Sequence, residues 1–337
     1  MSISNDLLSS TLYSIRDAEV DELYKKVAFL DGVKRAKGIE TESGGIKIQR
    51  PLSIQEHSSI TQLATGYEPV SLAVNDVLRP AIYDWADFTS PIVVTRKEEM
   101  ENSGEYAIVK IVEARMKSVM GMLRRELNKQ ILVGNSSVLT AVNTLNGNSA
   151  GVGSATGFFE HLAPGFQTNV VGGVSKATYS TVAGWQNQFV NGGGSFSMDD
   201  LYNLYIAANN VAPSGDISQL ILSNKTMGSY REKLFNQERF LQTDKLDGGR
   251  MSLAFNGAVA EADPTMGFSS SVGVGVNVDG YMLNFDGIKL VFHTEGNFAV
   301  SPFQHISGTT ARAAQLYVKC QLVADHLGSC GVLINAN

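Results

Sequence analysis

The 337-residue chain sets 27 lysines and arginines against 33 aspartates and glutamates, a formal net charge of -6, which excludes a broad basic surface of the kind that grips nucleic acid. At 43% hydrophobic residues it can build one large core or two smaller ones, and 33 glycines against 8 prolines point to many turns and long structured loops. No apolar run reaches the ~18 residues of a membrane helix, and Met1 to Arg16 lacks a signal-peptide layout, so synthesis and assembly in the cytoplasm are expected, with no membrane partner.

In chain order, Leu12, Ile15, Val20, Leu23, Tyr24, Val27 and Leu30 recur at helical spacing and predict an amphipathic helix from Thr11 to Asp31, with Gly32 as its stop. A charged, irregular stretch follows to Gly45. Ile46, Ile48 and Leu52 then open a strand-like run that turns polar and long-looped to Gly66. With too few apolar residues for a core of its own, this segment should project from the body and pack on a neighbour.

The clearest element is a long amphipathic helix from Glu105 to Leu132, with Ile108, Ile111, Val112, Met116, Val119, Leu123, Leu127 and Ile131 on one stripe. At 1.5 Å per residue it spans roughly 42 Å. Glu105 complements its start, Arg124, Arg125 and Lys129 its end, Glu113 and Lys117 pair along it, and Gly134 is the expected stop.

From Asn135 to Ser197 only Glu160 and Lys176 are charged, which reads as an interface-rich region. A flexible linker is the alternative, but Phe158, Phe159, Phe166, Trp185 and Phe189 argue against a solvated chain. Ser197-Met-Asp-Asp200 then opens a capped helix carrying Leu201, Leu204, Tyr205 and Ala208, closed near Asn210. Strands are expected at Gln219–Leu222, Met251–Ala262, Tyr281–Asn284 and Ile288–His293, with a helix from Lys225 to Leu234, giving a compact α/β or α+β lobe. Near the end Leu316, Val318, Cys320, Leu322 and Ala324 alternate against Gln315, Tyr317, Lys319 and Gln321, a half-buried strand with Val323 the exception. Gly331 to Ile334 is expected to return beside it.

The search for chemistry finds little. No P-loop, HExxH, GxSxG or SxxK occurs, and GVGVNV at Gly273 lacks the third glycine of a dinucleotide fingerprint, so no cofactor and no enzymatic activity are expected. His57, His161, His293, His305 and His326 lack metal-ligand spacing, and Cys320 and Cys330 fit neither a disulfide framework nor a zinc site. Glu98-Glu99 and Asp199-Asp200 lie where helix N-termini are predicted and read as caps rather than acid-base pairs. Met116, Met120 and Met122 read as core rather than as an adaptable binding face. Lys110, Arg115, Lys117, Arg124, Arg125 and Lys129 read as a solvated face that can also meet phosphates.

The segment Trp85-Ala-Asp-Phe-Thr-Ser-Pro-Ile-Val-Val-Thr-Arg-Lys-Glu-Glu-Met-Glu-Asn-Ser-Gly104, running into the long helix, looks like the strand that leads into the spine helix of tailed-phage major capsid proteins with the Hong Kong ninety-seven fold. Val171 to Gln188, with its glycine pair and Trp185, is similar to a segment that several of these proteins carry before their axial lobe. The order of elements resembles that family over nearly the whole chain. The resemblance implies an α+β fold with an N-terminal arm at 1–40, an extended loop at 41–76, a peripheral domain at 77–196 holding the spine helix 105–132, an axial domain at 197–308 and returning peripheral strands at 309–337.

It further implies a virion protein that associates with itself as hexamers and pentamers of an icosahedral head around double-stranded DNA, touched by weak non-specific contacts, with a portal protein and decoration proteins as partners. With no long helical extension ahead of the arm, scaffolding is expected from a separate protein. Encapsulin compartments of the same fold, holding cargo enzymes, are the nearest alternative function, and a glycine-rich hydrolase or a small-ligand binding protein are more distant ones. Lys47 stands in the loop where some relatives form a lysine–asparagine crosslink, which one lysine does not establish. Gly104 and the Gly44-Gly45 pair are expected hinges for shell expansion. The residues expected to matter for shell contacts and structure are Ile46, Lys47, Ile48, Pro51, Gly104, Ile108, Val112, Val119, Leu123, Leu127 and Trp185, the last with its indole at or near an interface.

Overall fold

A computed structural model describes residues 27–53, 62, 66–67, 77–101, 111–132, 170–176, 178–179, 185–212, 216–235, 243–246, 250–264, 266, 278–334 and 336. Its frame is two sheets. In the first, the 14-residue strand β16 (Ala311–Ala324) is the spine. It pairs antiparallel over ten residues with β4 (Ala86–Thr95), and on its other side with β13 (Ile288–His293), β14 (Ala299–Val300) and β15 (Gln304–His305). Strand β1 (Ile39–Glu42) extends this sheet parallel to β13. The expected alternation holds as far as Lys319, with Leu316 and Val318 buried and Gln315 and Tyr317 facing solvent, but fails from Cys320 onward, where Gln321, expected on the exposed face, is fully buried. Val323 is buried as well, because that end of the strand is covered on both faces.

The second sheet has seven strands in the order β7 (Gln188–Asn191), β17 (Gly331–Ile334), β12 (Val278–Leu283), β8 (Gln219–Leu222), β11 (Ala258–Ala262), β10 (Arg250–Phe255) and β9 (Thr243–Leu246). Leu220 and Leu222 of β8 point into one hydrophobic cluster and Ile221 into the other, so the strand is buried on both faces. That is why its sequence is continuously apolar instead of alternating. Helix α4 (Met198–Val211) covers one face through Leu201, Leu204 and Ala208; Ser197 Oγ caps it by accepting the Asp199 N–H at 3.2 Å. Helix α5 (Asn224–Phe235) packs on the same side, with Met227 and Tyr230 buried.

Helix α3 (Ile111–Leu132) lies against the body through Leu123, Leu127, Ile131 and Leu132, with Met116, Val119 and Met120 half-buried beside them. Two short hairpins complete the frame: β2 (Lys47–Ser53) with β3 (Leu78–Asp84), and β5 (Val170–Val171) with β6 (Val174–Ser175). Helix α2 (Arg96–Glu101) links β4 toward α3. Positions 11–26 of the first expected helix, most of 54–76, Glu105 to Lys110, Gly134 and most of the neutral stretch 135–197 lie outside the described residues.

Several expectations need correction. Gly32 does not stop a helix; it lies inside α1 (Ala28–Arg35). Its role is close approach, since a Cβ there would stand 1.9 Å from Gln219 Oε1, and Gln219 is buried with its Nε2 donating to Ala28 O at 2.9 Å. Gly32→Ala is therefore expected to displace the Gln219 carboxamide from Ala28 O and Glu261 and destabilise the fold by about 1–3 kcal/mol, read as a lowered denaturant midpoint.

Met251–Ala262 is not one strand. Asn256 (φ 46°) and Gly257 (φ 85°) form a two-residue turn between β10 and β11. Gly331–Ile334 returns beside β12 and β7, not beside β16. The sheets consequently cross the expected domain bounds: β13 to β15, placed in the axial segment, belong to the six-stranded sheet, and β17, placed with the returning peripheral strands, belongs to the other. Met122 is exposed on α3 rather than core.

Candidate functional site

The β2–β3 hairpin has two unlike faces. Ile48, Leu52, Ala81 and Tyr83 point into the main core, whereas Leu78 and Ile82 stay 66% and 42% exposed and Ile46, just ahead of β2, 92% exposed. On an outer face that also carries Lys47, Gln49 and Asp84, Leu78 and Ile82 are apolar surface that water penalises until something covers it.

The inner face is tied down by polar contacts. The Tyr83 hydroxyl donates to Ala324 O at 3.0 Å, Trp85 Nε1 donates to Gly45 O at 3.0 Å, and Ile82 N–H donates to Gly172 O at 2.8 Å. Gln321 Nε2 donates to Asp84 O. Beneath the hairpin Arg50 donates to Glu40, and its guanidinium lies 3.4 Å from Glu42 and 3.9 Å from Asp325. Burial pulls the Arg50 guanidinium down, but hydrogen bonding to Glu40 and the charges of Asp325, Glu40 and Glu42 hold it above the ordinary arginine value. Burial also pushes Asp325 up, against the pull of Arg50. Arg50, Trp185, Asp325 and His326 line a cavity of about 290 Å³ at this junction.

Where β4 meets the helices, Thr95 and Glu98 form a reciprocal capping box: Thr95 N–H donates to Glu98 Oε2 at 3.0 Å and Glu98 N–H to Thr95 Oγ1 at 3.4 Å. Arg115 of α3 clamps the same carboxylate with both Nη atoms, at 3.1 and 2.8 Å, and also donates to Val93 O at 2.8 Å. This bidentate contact holds Glu98 at about 2. Glu98 is thus a structural joint between sheet and long helix, in keeping with the capping role read for it.

A second buried network joins three elements. Asp263 Oδ2 accepts from Ala28 N–H at 3.3 Å and from Asn128 Nδ2 at 2.9 Å, and Asn128 Oδ1 accepts Phe29 N–H at 3.3 Å. Val27 supplies no side-chain cap, so the first N–H groups of α1 are capped from α3 and from the end of β11.

Trp185 is 2% exposed within the subunit itself, and its Nε1 donates to Val174 O at 3.2 Å. Nearby, Lys176 is fully buried and its Nζ donates to Asn187 Oδ1 at 3.2 Å; burial lowers its pKa to about 7. Between about pH 7 and the unfolded value of 10.5 the unfolded chain holds a proton that the folded chain lacks, so stability rises with pH across that window. Lys176→Met should flatten this slope. At pH 7.5 it should add on the order of a few kcal/mol, less about 1–3 kcal/mol for the donor that Asn187 loses. Melting curves of both proteins at pH 7.5 and 9.5 check this; parallel pH dependence would contradict it.

No group of three or more His, Cys, Asp or Glu among the described residues could hold a metal ion. Buried Cys320 and Cys330 are pushed up to about 12 and 11 by desolvation, which marks them as packing thiols. No helix among the described residues is long and apolar enough to cross a membrane.

No protein-family profile and no curated protein matches the sequence. Solved structures do. The capsid of cyanophage A-1(L) aligns with a TM-score of 0.62 at 12% identity, over 98% of this chain and 97% of that one. The SrpI encapsulin complex from Synechococcus elongatus aligns with a TM-score of 0.59 at 11% identity, over 100% and 97%. The capsid of the empty GTA particle aligns at 0.60 and 12% identity, over 95% and 100%. The chain has the Hong Kong ninety-seven fold.

Among the residues singled out from sequence, Ile46, Lys47, Ile48 and Pro51 gather at the hairpin of this fold, and Lys47 Nζ pairs with Asp84 at 3.0 Å. Val119, Leu123 and Leu127 line the body-facing side of α3. Val112 lies in the first turn of α3, and Gly104 and Ile108 lie outside the described residues. Sequence reasoning missed Arg50, Asn128, Lys176 and Asp263. Two of them carried a signal: Asn128 is a polar residue flanking the stripe position Leu127, and Lys176 is one of the two charges in the stretch 135–197.

Proposed function

We propose that this chain is a major capsid protein that self-assembles into the hexamers and pentamers of an icosahedral phage head enclosing double-stranded DNA. The observation that carries the reading is the match to shell proteins over nearly the full length of both chains. The exposed apolar face of the β2–β3 hairpin supports it, because a shell supplies the neighbouring copy that covers such a face.

In this reading residues 1–40 form the arm, 41–76 the extended loop, and α3 is the spine helix. The axial lobe is the seven-stranded sheet with α4 and α5, and the peripheral domain is the six-stranded sheet. The role is structural, without a catalytic step, and its site is the virion, assembled in the host cytoplasm. A separate scaffolding protein, a portal, decoration proteins and sparse DNA contacts complete its partners. Expansion of the shell turns on Gly104 and on Gly44 and Gly45, whose φ angles of 102° and 93° suit glycine alone at low cost. Gly44→Ala particles of normal expanded diameter would remove that hinge assignment.

The encapsulin match supplies an alternative of the same fold, a compartment for protein cargo, which the several phage-capsid matches outweigh. The contents of purified particles separate the two. Packaged double-stranded DNA supports the head; a co-purifying cargo protein at fixed stoichiometry without DNA supports the compartment and overturns the proposal.

A further inference from the structure

Arg50 stands among three carboxylates drawn from two parts of the chain. Glu40 and Glu42 belong to β1, across the Gly44–Gly45 turn from β2, and Asp325 directly follows β16. The guanidinium engages the first two: Nη2 donates to Glu40 Oε2 and lies 3.4 Å from Glu42 Oε1. Its Nε is buried, makes no hydrogen bond among the described residues, and ends 3.9 Å from Asp325 Oδ1.

A guanidinium holds its donors in a rigid plane, so a rotation that gives Nε to Asp325 draws Nη2 away from Glu40. The buried, unbonded Nε marks where the present arrangement is incomplete, since such a donor is costly, and a shift of about 1 Å would bring it to hydrogen-bonding distance. The cavity of about 290 Å³ lined by Arg50, Ser53, Trp185, Asp325 and His326 gives the side chain room to move. Asp325 is not stranded in the meantime, because Lys289 of β13 supplies it with a second positive charge. Gly44 and Gly45, with φ of 102° and 93°, form the joint that the Arg50–Glu40 contact spans.

We propose that Arg50 is a two-position catch on the Gly44–Gly45 turn: bonded to Glu40 and Glu42 it fixes the β2–β3 hairpin against β1, and bonded to Asp325 it releases β1 and lets the turn change angle. The structure holds the first position. One cation facing more carboxylates than it can satisfy gives the joint two discrete arrangements in place of a continuous bend. The consequence for shell expansion rests on the hinge reading given above, whereas the exchange of partners is a property of the single chain.

The test is nuclear magnetic resonance on the unassembled full-length chain with isotope-labelled arginine. Glu40→Gln with Glu42→Gln leaves only neutral amides on the β1 side, which compete poorly with a carboxylate. The Arg50 Nε–H signal is then expected to move downfield and its exchange with water to slow at least several-fold, and adding Asp325→Asn should reverse both. Glu40→Gln alone shifts the signal in the same direction and serves where the double change fails to fold. Chemical denaturation gives an independent reading. The coupling of Arg50→Met with Asp325→Asn, below about 3-fold in the folding equilibrium constant with both glutamates present, should rise to at least about 10-fold once they are replaced. An Nε–H signal indifferent to Asp325 in the glutamine background, or a coupling equal in both backgrounds, would overturn the proposal. Particle assembly plays no part in either outcome, so the catch and the shell reading fail or hold separately.

Discussion

Asp263→Ala is expected to lower the stability of the subunit by about 2–5 kcal/mol, a large fraction of the roughly 5–15 kcal/mol that holds a domain folded. The size follows from what the side chain holds. Its Oδ2 accepts from Asn128 Nδ2 and from Ala28 N–H, and all of these groups are buried. Truncation strands two donors where water cannot reach, at about 1–3 kcal/mol each. The loss propagates, because Asn128 freed from Asp263 no longer presents Oδ1 to Phe29 N–H, and α1 then has no cap of its own. Asp263→Asn keeps an acceptor and should cost less than half as much. In a double-mutant cycle Asn128→Ala and Asp263→Ala should couple by about 1–3 kcal/mol; chemical denaturation of the four proteins measures it, and additivity would contradict the network.

The combined change Leu78→Asp and Ile82→Asp should have the opposite profile: a retained fold and impaired assembly. Leu78 is mostly exposed and Ile82 partly so, at 66% and 42%, so the unfolding free energy should fall by only about 1–2 kcal/mol. If the proposed assembly face is right, these positions meet a neighbouring copy, and losing the apolar burial of their exposed parts costs about 1–2 kcal/mol each, raising the assembly threshold at least about 10-fold for the pair. Static light scattering against concentration, beside a melting curve, reads both quantities. Shells forming at an unchanged threshold would remove the hairpin face from the interface.

The parts of the fold that were legible in the sequence are those where one local rule dominates. The alternation along Gln315–Lys319, the Ser197 cap and the strand Gln219–Leu222 each rest on a rule within a single element and match the structure, whereas the alternation fails over Cys320–Ala324, where both faces are covered. The Asn256-Gly257 turn was equally local and was obscured by the apolar residues on either side. What was illegible is long-range. Nothing near Gly331–Ile334 says that it pairs with Val278–Leu283 instead of the adjacent strand, because either choice buries the same residues. Gly32 is explained by Gln219, and Asp263 by contacts that include Asn128 and Ala28, 135 and 235 residues away. The candidate assembly face was legible in part: a segment too polar for its own core marked the projecting loop, while the outward side of its hairpin became identifiable only once the register of β2 against β3 set which residues share a face.

Negative-stain electron microscopy with light scattering on the purified chain, alone and co-expressed with a candidate scaffolding protein, tests the central claim most directly. Closed shells or capsomer-sized rings in either sample are the predicted result. A stable monomer in both would contradict the shell assignment, whatever the fold resembles.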